Sequence, residues 1–409
     1  MSVPVDRGPR GRGRVAIWCP YRGNIGTIRV ILNLAAGLRA RGCEVDLIRV
    51  HTEWRGHEEF LREHGVRLVD FGAARVFPLL PRYGAGFRFS MALLSLYAFP
   101  PLWWYLGRRK PDAVIICLLG FVPLLASRFA FHKPFNALFV NGIPTFNFFR
   151  KILWATLQRR ADLVITVTRR TGDLIRRNGM PPRKIALMDH PVLDDDVLRK
   201  SREAVDHPWF TDGQIPVIVG IGRLTRQKDF PTLLKAFARV RAVRPCRLAI
   251  FGEGEDKDAL IAMIASLGLG DDVWLAGFTP NPYRYLARAD LFALSSRWED
   301  PGHVIMEAAF LKVPIVATDC PAGPAEFLQD GAYGHLAPVG DDARLAEAIL
   351  DSLAAPADRR AERVAGAHRQ AQRYTAPACI DAYLTALGLA EPRESDPPSK
   401  TSAPARNRA

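Results

Sequence analysis

Two glutamates in the stretch 295–331 are the residues of this chain whose type and spacing best suit chemistry. Glu299 and Glu307 are separated by seven residues, and a Pro301-Gly302 turn lies between them. The apolar residues after the turn predict a helix start, which places one carboxylate in the loop and the other in the first turns. The free amides and positive dipole end of a helix start favour a phosphate or another anion. Two acids beside such a site suggest a polyol phosphate ligand, and an acidic loop with a helix-stabilising glutamate is the alternative.

A loop earlier in the chain carries positive charge that could meet the same ligand. It begins at Gly222, and Arg223 and Lys228 follow, five residues apart, around a predicted strand-to-helix turn. Both side chains could reach one diphosphate, the arginine through two hydrogen bonds and the lysine as a point charge. Without the other motifs, these basic residues favour a solvated loop tip.

The elements that must position these residues alternate between apolar runs typical of buried parallel strands and helical patterns. The runs lie at 14–20, 44–50, 137–141 and 161–167 in the first half, and at 217–221, 248–251, 273–275, 291–294 and 314–317 in the second. This alternation predicts doubly wound parallel sheets, which bind ligands at the carboxyl ends of their strands. A loop containing Gly26 and a helix over 28–41 follow the first strand, so a ligand could approach the backbone there.

Length and composition indicate two domains of a cytoplasmic protein. A chain of 409 residues exceeds one ordinary core. We expect domains over 14–190 and 214–374, a linker over 191–213, and disordered segments at 1–13 and 389–409. Six cysteines without CxxC or metal-type spacing predict reduced thiols and no metal site. The first residues lack the apolar core of a secretory signal, which predicts a cytoplasmic location.

The positive charge of the chain lies in its first half. Residues 1–206 hold 33 Lys and Arg against 17 Asp and Glu, a balance of +16, whereas the remainder holds 23 against 25. Such a half could face an anionic membrane surface or a phosphate-bearing acceptor. Nucleic acid is less favoured as a partner because no recognition helix, zinc finger or paired-aromatic sheet motif is present.

The most apolar region, 87–131, favours a surface helix that rests at a membrane interface. Pro100 and Pro101 interrupt its first apolar run, and the second run is too short to span a bilayer. Trp103 and Trp104 precede the basic cluster 108–110, as expected at an interface of lipid and water. A helix packed in the core is the alternative.

The sequence lacks the motifs of several other kinds of binding or catalytic site. The sequences beginning at Gly220 and Gly252 lack the third glycine of a dinucleotide-binding GxGxxG motif. Neither a P-loop, a GxSxG elbow nor a zinc-helix motif occurs. The run 194–196 contains an Asp-x-Asp pattern that can hold a divalent metal. Its place in an irregular linker favours a solvated loop instead.

The ordered set of motifs resembles the retaining glycosyltransferases of family 4. The matching features are Gly222-Arg223 with Lys228, Phe251-Gly252-Glu253-Gly254, Gly277-Phe278, and the Glu299 to Glu307 spacing followed by 314–318. The stretch 319–324 and Tyr333-Gly334 are similar to bacterial members that build surface polysaccharides. The resemblance spans nearly the whole chain. It implies the GT-B fold, an α/β architecture of two Rossmann-like doubly wound parallel-sheet domains facing across a cleft. In that architecture the last helix, 375–388, crosses back to the first domain.

This resemblance implies catalytic roles for three residues. Arg223 and Lys228, beside Gly222, would bind the diphosphate of a nucleotide-sugar donor and stabilise the departing nucleotide in place of a metal. Glu299 would face the transferred sugar. Glu307 would accept hydrogen bonds from the ribose hydroxyls.

Further positions would bind substrate. The amides near Gly302, His303 and Val304 would hold phosphate at the helix start. Gly26 would line the cleft from the first domain, where domain closure would bring it against the donor. Backbone groups near Phe278 would contact the base.

The chain departs from the family pattern at three places. Asp300 stands where a glycine usually follows the first glutamate, and a paired glycine of the first loop is replaced in the stretch 24–27. Asn141 stands where many members have a histidine after a mid-domain strand, so the primary hydroxyl of the transferred sugar would lose one partner. Asp300 could change which sugar fits or could impair activity.

The resemblance therefore implies a metal-independent hexosyl- or N-acetylhexosaminyl-type transferase that needs no cofactor. It would move a sugar from a UDP-sugar to a hydroxyl of a glycan, with retention by a front-face route. The basic, aromatic first half would suit a lipid-linked acceptor at the inner face of the plasma membrane. Three alternatives stay open, namely a nucleotide-sugar epimerase, a glycan phosphorylase, whose pyridoxal-bearing lysine is not indicated, and a catalytically silent binding module.

Overall fold

A computed structural model describes residues 13–21, 26–80, 84–117, 120–140, 142 and 160–389, and for 84–88 it describes the backbone alone. Within these residues, the chain forms two parallel β-sheets, with helices between successive strands. The two segments expected to be disordered lie outside the described residues, apart from Gly13 and Leu389.

The first sheet has the order β3-β2-β1-β4-β5-β6-β7, with all pairs parallel. Its strands are β1 (Arg14–Trp18), β2 (Glu44–Arg49), β3 (Arg67–Asp70), β4 (Ala113–Ile116), β5 (Phe135–Phe139), β6 (Leu163–Thr166) and β7 (Ile185–Leu187). The helices described in this part are α1 (Thr27–Ala40), α2 (Glu58–Glu63), α3 (Ala73–Val76), α4 (Gly84–Arg109), α5 (Phe121–Phe129) and α6 (Arg169–Arg177). Strand β1 is central and is buried on both faces, as its unbroken apolar run predicts.

The second sheet has the order β10-β9-β8-β11-β12-β13 and is also parallel. Its strands are β8 (Val217–Ile221), β9 (Arg247–Phe251), β10 (Val273–Gly277), β11 (Leu291–Leu294), β12 (Ile315–Thr318) and β13 (His335–Ala337). The helices are α7 (Asp195–Ser201), α8 (Phe230–Val243), α9 (Lys257–Ser266), α10 (Tyr283–Leu286), α11 (His303–Phe310), α12 (Pro324–Phe327), α13 (Asp342–Ala354), α14 (Ala357–Gln372) and α15 (Ala376–Ala386). In each sheet, the order reverses at the first strand, which opens a crevice at the carboxyl ends where ligands bind in such folds.

The chain crosses between the two sheets twice, and the two crossings lie side by side. Leu193 and Thr375 form an isolated parallel bridge, and the N–H of Ala376 donates to the carbonyl of Leu193 at 2.9 Å. Helix α15 then packs in the core beneath the first sheet. A Cβ on Gly37 of α1 would lie 2.4 Å from Ile380 of α15, so this close approach requires glycine.

Helix α4 corrects the expectation that two prolines interrupt the apolar run. Pro100 and Pro101 lie inside one continuous helix. Leu94, Ala98 and Leu102 recur every four residues on its buried face. Packing of this face against the first sheet offsets the hydrogen bonds that the prolines cannot make. The opposite face is exposed, so α4 is packed in the core on one side and open to solvent on the other.

Candidate active site

The carboxyl ends of β8 and β11 bring two predicted catalytic residues into contact. The Nζ of Lys228, in the loop after β8, lies 2.5 Å from Oε1 of Glu299, in the loop after β11. The hydroxyl of Ser296 donates to the same oxygen at 2.5 Å. The two charged side chains are 15% and 6% exposed, so water screens the pair weakly. The sheet ends therefore present a fixed cation and a fixed carboxylate side by side.

Glycines allow the loops after β8 and β9 to touch through their backbones. A Cβ on Gly252 would lie 1.8 Å from the carbonyl oxygen of Gly222, and one on Gly254 would lie 2.2 Å from that of Leu224. No side chain fits at either distance. The two glycines thus set the path of the loop from which Arg223 projects.

Arg223 lies on the solvent side of this loop. It is exposed, and its Nη2 donates to Oε1 of Gln227 at 3.3 Å. The amide nitrogen of Gln227 in turn donates to the carbonyl of Trp298 at 3.0 Å. Arg223 is therefore connected to the Glu299 loop through one side chain, and its guanidinium remains open to a ligand.

Glu307 belongs to a hydrogen-bonded network that joins the two domains. Its Oε1 accepts from the hydroxyl of Tyr283 at 2.8 Å, and that hydroxyl accepts from Nη1 of Arg29 in α1 at 2.7 Å. Nη2 of Arg29 also donates to Asp194 at 2.5 Å, and its guanidinium lies 5.2 Å from the Tyr283 ring centre. Burial raises the pKa of Glu307, while Arg29 and Tyr283 oppose that rise. Burial also raises the pKa of Tyr283, so the phenol keeps the proton it donates.

The start of α11 combines a left-handed glycine with a buried histidine. Gly302 is the N-cap with φ of 87°, and no side chain caps the helix. A Cβ on Gly26 would lie 3.1 Å from Nδ1 of His303, so the first domain closes directly over this helix start. Burial lowers the pKa of His303 to about 4, which keeps its ring neutral. The following residue, Val304, packs partly against the core of the second domain.

Ring nitrogens without partners lie at this helix start. Nε2 of His303 is buried and has no hydrogen-bond partner, and both ring nitrogens of His190 share that condition. The two rings lie 5.8 Å apart, and His190 is 1% exposed. Burial lowers the pKa of His190 well below its usual value. Buried polar atoms normally find partners, so a substrate oxygen could be the missing one for His303.

A cleft of about 1200 Å³ opens between the two domains beside these residues. Gly26, Arg29, His303 and Glu307 line it, and Phe278 lies in it with 62% of its surface exposed. Its volume can hold a nucleotide-sized ligand. Arg223, Lys228 and Glu299 do not line this cleft. They form the neighbouring group at the sheet end. The charges of Glu299 and Lys228 act on the pKa of His303, which the first raises and the second lowers.

Asn141, assigned to the sugar hydroxyl, lies outside the described residues. Among the residues that the structure does describe, no group of three or more His, Cys, Asp or Glu side chains is arranged to hold a metal ion. All six cysteines are buried, and none of them forms a disulfide bond.

The aspartate run 194–196 is not the solvated linker loop that its sequence predicts. Asp194 caps α7 by accepting from the N–H of Val197 at 3.2 Å, and it pairs with Arg29. Asp196 pairs with Lys200 at 2.8 Å. The helix forms because an aspartate N-cap satisfies its first amides, and the pairing with Arg29 draws it against the first domain.

Asp300 turns toward the first domain. Its Oδ1 accepts from the hydroxyl of Thr168 at 3.0 Å, and its Oδ2 accepts from that of Thr171 at 3.0 Å. Burial raises the pKa of Asp300 from 3.8 to about 6, and the two threonine hydroxyls limit that rise. Its contacts are therefore those of a link between domains.

Sequence patterns did not indicate Arg29, Tyr283 or His190 as members of the site. Arg29 carries the one available signal, a charge within the first turn of a helix that follows a glycine loop. Tyr283 lies 254 residues from Arg29 and 24 from Glu307, and no local pattern marks such contacts. His190 is the last residue of the expected first domain, a proline follows it, and no motif assigned it a role.

Two protein-family models match this chain and together reach from residue 26 to residue 370. The model "Glycosyl transferase 4-like domain" matches 26–189, and the model "Glycosyl transferases group 1" matches 201–370. The boundary between them falls in the segment where the chain first crosses between the two sheets.

The curated relatives of this chain include two bacterial glycosyltransferases. One is the N-acetylgalactosamine-N,N'-diacetylbacillosaminyl-diphospho-undecaprenol 4-alpha-N-acetylgalactosaminyltransferase of Campylobacter jejuni, to which the chain is 29% identical over 204 residues. This match covers 50% of this chain and 54% of the relative. The chain is also 33% identical over 229 residues to the lipopolysaccharide core biosynthesis glycosyltransferase LpsE of Rhizobium meliloti. This match covers 56% of this chain and 65% of the relative. The matches thus span less than two thirds of either relative.

Similar solved structures share the fold over nearly the full length. The structure of Anabaena Alr3699/HepE in complex with UDP and glucose superposes with a TM-score of 0.70 at 18% identity, covering 92% of this chain and 99% of that one. A glycosyltransferase from Rickettsia africae gives a TM-score of 0.74 at 14% identity, covering 92% and 97%. The predicted GT-B fold of two Rossmann-like parallel-sheet domains is confirmed. Residues 26–189 are thus similar to a glycosyl transferase 4-like domain, and residues 201–370 are similar to a group 1 glycosyl transferase domain.

Proposed function

We propose that this protein is a retaining, family 4 glycosyltransferase of polysaccharide biosynthesis that moves a sugar from a UDP-sugar to a hydroxyl of a glycan or lipid-linked glycan. The observation that carries the proposal is the pair of acids on either side of the start of α11. Glu299 is held by Lys228 at 2.5 Å, and Glu307 faces the interdomain cleft together with Arg29. Further support comes from a similar fold whose structure was solved in complex with UDP and glucose, and from relatives that include an N-acetylgalactosaminyltransferase and a glycosyltransferase of lipopolysaccharide core biosynthesis.

The donor nucleotide would lie with its ribose at Glu307. A buried carboxylate that accepts from one phenol can exchange that partner for ribose hydroxyls, because both are neutral O–H donors. The exposed ring of Phe278 offers a face near the base. The uncapped amides at Gly302 and His303 point the positive end of α11 at the diphosphate.

The charge that develops on the leaving nucleotide would be met by side chains. Arg223 and Lys228 supply two cations beside the sheet end, which is the electrostatic role that a metal could otherwise take. The proposal is therefore a metal-independent transfer with the nucleotide sugar as co-substrate and no further cofactor.

Retention would follow from a front-face reaction. The bond between the anomeric carbon and the diphosphate oxygen breaks, the acceptor oxygen bonds to the same face of that carbon, and the acceptor proton passes to the leaving phosphate. Glu299 suits orientation of the sugar better than nucleophilic attack, since Lys228 and Ser296 already bond to its Oε1. The transferred group would be a hexosyl or N-acetylhexosaminyl unit.

A lipid-linked acceptor would bring the enzyme to the inner face of the membrane. Residues 71–161 hold 12 Lys and Arg against a single acid, Asp112. Within the described part of that stretch, Trp103, Trp104, Phe129 and Phe131 are exposed large aromatics. Aromatic and basic side chains on one domain suit an anionic lipid surface. None of the described helices is long and apolar enough to cross a bilayer.

Vesicle sedimentation tests this contact. Binding to anionic phosphatidylglycerol vesicles should fall at about 0.5 M salt and should weaken in the Trp104→Ala, Phe131→Ala double variant. Ile261→Ala, which removes an exposed apolar side chain from α9 of the second domain, is the matched control and should bind normally. Equal binding by all three proteins, or binding that ignores salt, would contradict the membrane proposal.

A donor panel tests the reaction. The purified protein is incubated with UDP-sugars and glycan acceptors, and products are analysed by mass spectrometry and NMR. Transfer gives an acceptor extended by one sugar in the donor's anomeric configuration. An isomerised donor would indicate an epimerase instead. Absence of any product across the panel, with UDP still bound, would indicate a silent binding module.

A further inference from the structure

Asp300 and two threonines of the first domain form a contact that the proposed reaction does not by itself require. Thr168 and Thr171 are 2% and 1% exposed, and each donates its hydroxyl to a different oxygen of the Asp300 carboxylate at 3.0 Å. Thr168 is also the N-cap of α6, where its Oγ1 accepts from the N–H of Thr171 at 3.3 Å. The carboxylate therefore lies at the positive end of that helix, which favours its charge.

The contact involves the residue next to the glutamate whose carboxylate is assigned to the sugar. Asp300 follows Glu299 directly, and Glu299 is fixed by Lys228. The N–H of Glu299 also donates to the carbonyl of Pro321 at 3.2 Å. A Cβ on Gly323 would lie 2.1 Å from the carbonyl of Pro301, so this loop is confined from the second-domain side as well.

A second link between the domains lies close by. The N–H of Arg169, next to Thr168, donates to the carboxylate of Glu326 at 3.0 Å. Glu299 and Glu326 are the charged groups that act on Asp300, and both are acids. The Asp300 carboxylate thus remains in a region of like charge, held there by hydroxyl donors. A glycine at this position could make neither hydrogen bond.

We propose that Asp300 is a positioning residue that fixes the Glu299 loop to the first domain, so that the orientation of the sugar-facing carboxylate depends on the contact between the two domains. The proposal rests on the proposed function for the role of Glu299. The fixing of the loop by the first domain does not depend on which donor is used. Thr168 and Thr171 therefore belong to the same positioning contact, although neither lines the cleft assigned to the donor.

Hydrogen–deuterium exchange on the full chain tests the fixing without any substrate. Thr171→Val removes one donor at constant shape and leaves the cap residue in place. Asp300→Gly removes both bonds, and Asp300→Asn keeps the side chain and one acceptor. We expect the amides of 297–303 to exchange about tenfold faster in Thr171→Val and faster still in Asp300→Gly, with a smaller change in Asp300→Asn. Thr385→Val, whose exposed hydroxyl bonds within α15, is the control and should not change this segment.

Donor kinetics supply the second readout. In Thr171→Val and Asp300→Gly, kcat should fall about tenfold with little change in UDP affinity, and Asp300→Asn should restore part of it. Unchanged exchange at 297–303 in Asp300→Gly would overturn the proposal. Faster exchange together with unchanged kcat would also overturn it, because the loop would then be loose without consequence. Should the wild type bind no UDP, the proposed function fails, while the exchange result still decides whether the first domain fixes this loop.

Discussion

Replacement of Asp300 by asparagine should remove a defined part of the pH dependence of stability. The buried carboxyl has its pKa raised from 3.8 to about 6, so the folded protein binds its proton more tightly than the unfolded chain does. Protonation of Asp300 stabilises the fold progressively as the pH falls through about 6, and the gain is complete below 3.8. Asparagine cannot titrate and loses this gain.

The size of the effect follows from the two pKa values. The interval between 3.8 and about 6 corresponds to about 3 kcal/mol over the whole range. Between about pH 7.5 and about pH 5, only part of the transition is crossed, and the linkage relation gives about 1.4 kcal/mol. The wild type should therefore gain about 1.4 kcal/mol relative to Asp300→Asn on this change of pH.

Urea unfolding followed by tryptophan fluorescence measures this difference at each pH. Acids that do not interact with Asp300 titrate equally in both proteins, so their contributions cancel in the comparison. Asp271→Asn, an exposed change in the turn before β10, is the matched control and should follow the wild type. A difference between wild type and Asp300→Asn that stays constant with pH would refute the reasoning. A difference of opposite sign would show that the hydrogen bonds from the threonine hydroxyls, and not burial, determine the direction of the pKa shift of Asp300.

Three further predictions concern the groups at the sheet ends. Lys228→Met should lower the free energy of unfolding by about 3–5 kcal/mol because it leaves the buried Glu299 carboxylate unpaired. The double variant Lys228→Met, Glu299→Gln should recover most of this loss, because no buried charge is then left unpaired. Urea unfolding measures both variants, and a double variant as unstable as Lys228→Met would contradict the prediction. Glu307→Gln should weaken UDP binding at least about tenfold in calorimetry, since a neutral amide accepts ribose hydroxyls less strongly, and unchanged affinity would remove Glu307 from the site. Arg29→Met should weaken UDP binding as well, because Tyr283 and Glu307 lose the cation that orders them, whereas Arg128→Met on the exposed end of α5 should not.

The fold could be predicted from local patterns because buried parallel strands need continuous apolar runs. Strands β8 and β11 have the bounds that 217–221 and 291–294 predicted. Helix α4 was misjudged at Pro100 and Pro101, because the cost of a proline is local whereas the packing that offsets it comes from the sheet.

The site could be predicted only in part for a related reason. Residue type and loop position indicated the acids and cations of the second domain, since loops at strand ends converge whatever the side chains are. Arg29, Asp194 and Asp300 acquire their partners across 129 residues or more of sequence. Such pairs depend on how the two domains meet. Periodicity and capping signals are local and carry no information about the interface between the two domains.

The most direct test of the account is the crystal structure of the protein with UDP. The account predicts that the ribose hydroxyls replace Tyr283 at Glu307, that the diphosphate lies against the start of α11, and that Arg223 and Lys228 bond to it. Nucleotide bound away from Glu307, or bound with its diphosphate outside the reach of both cations, would contradict the assignment of this site.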